Sequence, residues 1–361
     1  MRSTRRGDKL RSEIIQLCNA SLDSCLLRAE LLNRLQKAVP FDYAYFTVTD
    51  PVTGLGVGTV MSTPPPSWVM GMFVENEFLQ TDVNSFHAMW RSNRPVATLR
   101  DATGSAPAQS PRYRDMLMPL GMTDELRAVF TTDSACWGTL CLHRQGLAYT
   151  PTEAGFVESV AGYIADGLRK AYVLDSVIRG VAPRDHGVLI VTEDLTITAQ
   201  TAAVEYWLSE LHDTEHSDRG ALPLAVRSVV GHLIRLERGQ SADVVPAARL
   251  RIGSGHWLTL SASRLYGPDT RPNIAVMLAP AQPAELAPIM MQAYGLSRRE
   301  SEITLCVVRG WSTIKIAQRL HISPLTVQDH LKALFAKVDV NSRGELAARI
   351  FRQQHRPEEI S

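Results

Sequence analysis

No apolar run in the chain approaches the ~18 residues needed to cross a bilayer, so no helical membrane anchor is expected. Cysteine is scarce. The five cysteines, Cys18, Cys25, Cys136, Cys141 and Cys306, are odd in number and lack metal-ligand spacing. Free thiols in a reducing cytoplasm are therefore expected, with no disulfide framework and no bound metal. There is no G-x-S-x-G nucleophile elbow, no Walker A loop and no C-x-x-C pair, so no enzyme class is indicated and no cofactor is expected. The opening MRSTRRGDKLR is basic with no apolar stretch behind it, which argues against a secretory signal and suggests a frayed arm. Neither charge sign dominates, with 38 Lys+Arg against 37 Asp+Glu. What is present is ordinary globular material. The 361 residues, 45% hydrophobic and 21% charged, suffice for two or three domains with their own cores.

The most legible stretch is 296–351, which reads as four short helices. Ser297 and Glu300 form a capping box, Ile303, Cys306 and Val307 recur at helical spacing, and Gly310 stops the run. Ser312 caps a second helix with Ile316, Ala317 and Leu320 as its buried stripe. After a turn at His321-Ile322-Ser323, Ser323 caps a third helix and Pro324 occupies its first turn. Ser342 and Glu345 open a fourth, which buries Leu346, Ile350 and Phe351. Helix, short turn, helix is the unit that places its second member in a DNA groove.

On the third helix, Val327, Leu331, Leu334 and Val338 form one seam, with Phe335 beside it. The opposite face, Leu325, Gln328, Asp329, Lys332, Ala333 and Ala336, is mixed in polarity and partly small, as close approach to base edges requires. Gln328 suits adenine, Asp329 suits the amino group of cytosine, and Lys332 suits guanine or a phosphate. His330 and Lys337 lie on a flank and suit phosphates. Residues 296–352 hold 10 Lys+Arg against 5 Asp+Glu, so this piece carries +5 while the rest of a +1 chain carries −4. That separation is an electrostatic footprint for nucleic acid.

Ser297-Arg298-Arg299-Glu300, Gly310, Ile316-Ala317, Leu320, Ser323, Thr326-Val327, His330, Lys337 and Ser342-Arg343 together resemble the LuxR-type (GerE-like) helix-turn-helix domain of bacterial transcription regulators. The resemblance implies that Thr326, Val327, Gln328, Asp329, His330 and Lys332 sit on or beside the reading helix; Ser323, Lys337 and Arg343 complete the candidate set. The family often carries Lys where this chain has Gln328, which leaves its base preferences open. The resemblance also implies a homodimer joined through the last helix, double-stranded operator DNA as partner, and RNA polymerase as a further one.

Residues 8–175 read as one α+β domain. An amphipathic helix is expected over Lys9–Ala38, then strands at Tyr43–Thr49 and Gly56–Ser62 about the turn Asp50-Pro51-Val52-Thr53-Gly54. Gly54, Gly56 and Gly58 read as hairpin glycines, since no helix follows them to cradle a phosphate. Strands at Arg127–Thr132 and Trp137–His143 and a helix from Thr152 to about Tyr172 close the domain. Phe41 to Phe46, the turn after it, and Trp137–His143 before Tyr149-Thr150-Pro151-Thr152-Glu153 resemble a GAF domain, a small-molecule-sensing fold. Between the hairpin and the closing strands the chain is rich in Met and aromatics. Trp68, Met72, Phe73, Phe86, Met89, Trp90 and Met118 are the candidate ligand-lining residues, suited to an apolar ligand. The same residues also suit a plain core. His87 alone beside them does not make a haem site, and Asp101–Arg112 reads as a mobile loop able to act as a lid.

Residues 182–280 suggest a second module: strand at Gly187–Val191, strand at Thr196–Ala199, helix at Thr201–Leu211, then strands at Arg249–Ile252, Trp257–Leu265 and Ile274–Leu278. That order resembles a PAS-like domain. His212-Asp213-Thr214-Glu215-His216 fits the H-x-x-E-H zinc pattern but sits in a polar run with no further ligand, and reads as a solvated loop. The Pro-rich stretch Ala279–Pro288 reads as linker, placed over 281–292, to a DNA-binding domain over 293–355. The expected architecture is thus a GAF-like α+β domain, a PAS-like α+β domain and an all-α helix-turn-helix domain. No acidic cluster with distal Lys marks a receiver, so the expected function is a ligand-controlled transcription regulator. Control by a partner protein with no small molecule is the alternative.

Overall fold

The computed structural model describes residues 2–133, 135–174, 185–215, 222–239, 245–267 and 273–351. The chain divides into two compact units, Met1–Pro280 and Ala281–Ser361. The first begins with two helices, α1 (Arg2–Asn19) and α2 (Ser24–Ala38), where the periodicity suggested one from Lys9 to Ala38. The break has a local cause: Asp23 Oδ1 accepts from the amides of Cys25 and Leu26, at 2.9 Å each, and opens a new helix. The arm expected to fray is helical from Arg2.

The hairpin of β1 (Tyr43–Thr49) and β2 (Gly56–Met61) turns as expected, with Asp50 Oδ1 accepting from the amides of Val52 and Thr53. Gly54 sits there at φ +71°, and a Cβ on it would stand 2.6 Å from the Trp90 ring, so both conformation and space demand glycine. The Met- and aromatic-rich segment that follows is largely built of short regular elements. It holds α3 (Ser67–Leu79), α4 (Phe86–Arg91), β3 (Val96–Thr98), the single turn α5 (Leu99–Ala102), a 3₁₀ turn at Pro107–Gln109 and a π turn at Tyr113–Leu117. The stretch 101–112, expected to be a mobile lid, is pinned. Ser110 Oγ and the Arg112 amide both donate to Asp82 Oδ2, and the Arg112 side chain is fully buried. Strands β4 (Asp124–Thr132) and β5 (Ala135–Arg144) and helix α6 (Pro151–Leu174) complete this module. Its antiparallel sheet runs β2-β1-β5-β4-β3. One face buries Ala44, Phe46, Leu126, Phe130 and Leu140 toward the helices. The opposite face carries Tyr45, Thr47, Thr139, Cys141, His143, Glu125 and Arg127, alternating as strand geometry dictates.

The second module contains β6 (Gly187–Val191), β7 (Ile197–Gln200), α7 (Ala203–Glu215), α8 (Leu224–Glu237), β8 (Ala247–Arg251), β9 (Trp257–Arg264) and β10 (Ile274–Pro280). Its sheet runs β7-β6-β10-β9-β8. Both sheets therefore order their strands second, first, fifth, fourth, third. His212 falls within α7, whereas His216 lies outside the described residues. Helix α8 was not apparent from periodicity, because Leu224 to Ile234 are buried without interruption. Every side of the helix is covered, the polar Arg227, Ser228 and His232 included, so its polar positions do not mark a solvent face. It packs on β9 from its own module and on β2 and α3 from the first. Leu55 and Val57 accordingly share one core with Val226, Val229, Val230, Leu258 and Leu260. Asp50 Oδ2 also accepts from the Arg249 amide at 2.9 Å, and the Tyr172 ring stands between Trp137 and Trp257, 5.6 and 5.3 Å away. The modules are fused by a common core.

The second unit has five helices among its described residues: α9 (Pro283–Ala293), α10 (Arg298–Val308), α11 (Thr313–Leu320), α12 (Pro324–Val338) and α13 (Arg343–Phe351). The expected linker 281–292 is thus mostly helix. Pro283 occupies the first turn, where a missing amide costs nothing, and Glu285 Oε2 accepts from the Gln282 amide at 2.6 Å. Leu286, Ile289, Met290 and Met291 are buried and α9 packs on α13, which outweighs the interior Pro288. The Ser297–Glu300 box caps α10, Ser312 caps α11, and Ser323 Oγ accepts from the Thr326 amide at 3.0 Å to cap α12. His321 closes α11 in the left-handed region at φ 54°.

Candidate functional site

In the second unit, Val327, Leu331, Leu334 and Val338 of α12 are buried as one seam. Val327, fully buried, is therefore a packing residue and no candidate for DNA contact. Gln328, Asp329, Lys332, Ala333 and Ala336 are exposed, and Leu325 is 67% exposed. His330 is half-buried on the flank. Ser323 and Thr326 are engaged with each other, their hydroxyls 2.8 Å apart at the helix start. Two cations assigned to DNA on sequence grounds have partners inside the domain. Lys337 Nζ donates to Glu300 Oε2 at 2.7 Å and to the Gly295 carbonyl at 3.3 Å. Burial works to raise the Glu300 carboxyl, but Lys337 and the Ser297 bonds outweigh it and hold the group below its ordinary value. Arg343 donates to the Trp311 carbonyl at 3.1 Å and to Thr313 Oγ1 at 2.7 Å. Lys337 thus ties α12 to α10, and Arg343 ties α13 to the start of α11.

In the first unit, two adjoining cavities lie on the polar face of the first sheet. The larger, partly open to solvent, spans about 650 Å³ of space between atoms, open solvent included, against Thr47, Thr49 and Thr139, with Phe73, Phe86, Trp90 and Ser228 among its walls. The smaller, about 350 Å³ with open solvent included, is lined by Tyr45, Thr47, Thr59, Val69, Phe73, Met116, His143 and Leu224. Phe73, Phe86 and Trp90 are thus where the sequence reading put them. Met89, 2% exposed, belongs instead to a small core with Ala97 and Val129. Trp68 and Met118 turn outward at 40% and 56% exposure, and Met72 is half-buried away from both linings.

Beside the cavities lies a charge cluster that no sequence motif announced. Arg112 Nη2 meets Glu125 Oε2 at 2.8 Å, and its Nη1 lies 3.4 Å from Asp82. Arg127 Nη1 meets Glu77 Oε2 at 2.8 Å, its Nε lies 3.2 Å from Glu125 Oε1, and its guanidinium stacks 4.5 Å from the Phe86 ring centroid. His143 Nε2 lies 3.1 Å from Glu125 Oε1. Burial alone would raise the Glu125 carboxyl; Arg112 and Arg127 outweigh it and hold it well below the usual carboxylate range. Glu125, Cys141 and His143 are close enough to share a metal ion. The fit is poor, because both Glu125 oxygens are committed to guanidinium groups and burial pushes the Cys141 thiol up to about 12.

Residues 295–350 match the family described as bacterial regulatory proteins, LuxR family. This segment is a LuxR-family domain. Comparison with curated proteins gives no match. Among solved structures, the VqsR LBD domain from Pseudomonas aeruginosa is 14% identical and covers 45% of this chain and 94% of its own, at a TM-score of 0.34. Escherichia coli SdiA is 13% identical over 96% of this chain and 98% of its own, at 0.28. Vibrio cholerae VqmA is 13% identical over 47% and 83%, at 0.21. Similarity this low carries no inference about the present chain.

Within the LuxR-family domain, the exposed residues missed on sequence grounds lie on α11. Ile314 is 63% exposed and stands with Lys315, Gln318 and Arg319 on its outer side. Only Ile316 and Ala317 of α11 are buried, leaving most of its surface free for a partner. Lys315 Nζ sits 4.7 Å above the Trp311 ring. Among the described residues, no helix is long and apolar enough to cross a membrane.

Proposed function

We propose that the chain is a bacterial transcription regulator in which the α+β unit senses a small molecule and the LuxR-family domain reads operator DNA. The observation that carries this reading is the exposed face of α12, where Gln328, Asp329 and Lys332 stand over a buried apolar seam in a segment carrying +5. A helix with small and polar residues outward and its apolar residues spent on packing fits the major groove. Gln328 and Asp329 read bases, Lys332 reads a base or holds a phosphate, and His330 lies against the backbone. We read residues 8–175 as a GAF-like module and 182–280 as a PAS-like one; their shared strand order supports two versions of one sensory topology. A cytoplasmic homodimer joined through α13, with RNA polymerase as a further partner, completes the proposal.

The test is fluorescence anisotropy on an operator selected from random duplexes. Lys332→Ala is expected to weaken binding by about 1–3 kcal/mol and to relax preference at one base position. Unchanged affinity and preference would mean that α12 does not present this face to DNA.

A further inference from the structure

Resting on the reading of the first unit as a sensor, we infer that its binding site is composite: the first sheet supplies the floor, helix α8 of the second module supplies a wall, and the ligand is a small uncharged molecule with hydrogen-bonding groups toward both ends. Leu224, Ser228, His232 and Arg235 fall at helical spacing on one stripe of α8, and all four line the larger cavity. Leu224 lines the smaller one as well, so α8 runs past both. The site is incomplete without the second module.

Three polar groups lining these cavities are buried and have no hydrogen-bond partner among the described residues. They are Ser228 Oγ in the larger cavity and Tyr45 Oη and His143 Nδ1 in the smaller. Ser228 and His143 are each 1% exposed and Tyr45 is 9%. Leaving such groups unpaired costs free energy that a ligand recovers by bonding to them. Two of the three are hydroxyls, which donate or accept but do not compensate a full charge. The charged groups of the floor are already matched, Glu77 by Arg127 and Glu125 by both Arg112 and Arg127. With Asp82 included, three carboxylates face two guanidiniums, so a further buried anion is repelled. A cation, though attracted, would find only hydroxyls and one imidazole nitrogen to replace its hydration. Arg235, at the outer end of the α8 stripe, is half-buried and its charge is screened by water. The threonine floor likewise moves the ligand away from the purely apolar class that the Met-rich sequence suggested.

Three probes of one size test this on the full-length protein by thermal shift: 4-hydroxybenzamide, 4-hydroxybenzoate and 4-hydroxybenzylamine. At about five times its Kd the uncharged amide is expected to raise Tm by about 2 °C, with the two charged analogues bound at least tenfold more weakly. Ser228→Ala and Tyr45→Phe, each removing one hydroxyl, are each expected to weaken amide binding about 3–10-fold while leaving the ligand-free Tm within 2 °C. Equal or tighter binding of either charged analogue, or binding of none, overturns the ligand class. Binding sensitive to Tyr45→Phe but not to Ser228→Ala overturns the composite wall. Amide binding that follows the expected pattern yet leaves operator affinity unchanged keeps the site and overturns the sensor reading instead.

Discussion

Arg127 has a side chain with no solvent exposure and two carboxylates for company, Glu77 and Glu125. Removing it strands both. Arg127→Met is expected to cost about 3–5 kcal/mol in urea unfolding, because the uncompensated charge stays buried while the methionine fills only the volume. Glu125 gives the cluster a pH signature. Its folded value lies well below its unfolded one, so its stabilisation is present above pH ~4.3 and is lost as pH falls toward the folded value. Glu125→Gln is expected to be less stable at pH 7 and to show a flatter acid limb than wild type; matching acid limbs would remove Glu125 from that role. None of this was legible in the sequence. Asp82, Arg112, Glu125 and Arg127 look like ordinary surface charges on a linear reading, and strand pairing across β4 and β5 brings Glu125 opposite His143.

At the level of elements, a helix is legible where its polar positions mark a solvent face and its apolar ones a seam. α12 was read correctly down to its seam, because its exposed side contrasts with Val327, Leu331, Leu334 and Val338. α8 carries Arg227, Ser228 and His232 among its apolar residues, but all three are buried, so its polar positions do not outline a solvent face. α9 reads as a linker because Pro283 and Pro288 follow the Pro-rich start at Ala279, although Pro283 sits where a helix tolerates one. Lys337 shows the limit of motif reasoning, since its charge suggested phosphate and its position joins α12 to Glu300. Lys337→Met is therefore expected to lower the stability of the LuxR-family domain by about 1 kcal/mol. The slope of log K against log salt should stay within 0.3 of wild type, since a lost phosphate contact would flatten it by about 0.9.

For the whole molecule, two stretches with different resemblances proved to be one unit because α8 is common to both cores. Gly231 marks a close approach between them, where a Cβ would stand 3.0 Å from three atoms of Phe78 on α3. Gly231→Val is expected to cost about 1–3 kcal/mol and to lower the melting of both modules together. Calorimetry in which only the second module shifts would show that they unfold separately. The separation of charge, by contrast, was plain from composition, since it needs only a count along the chain.

The shared helix also sets a timetable for synthesis. Some 145 residues separate Leu79 at the end of α3 from Leu224 at the start of α8. At 5–20 residues per second the ribosome takes roughly 7–30 s over that interval. Throughout it, Leu55, Val57 and Phe78 have no helix to cover them, so the nascent first module offers a sticky apolar surface to any holding chaperone until α8 emerges.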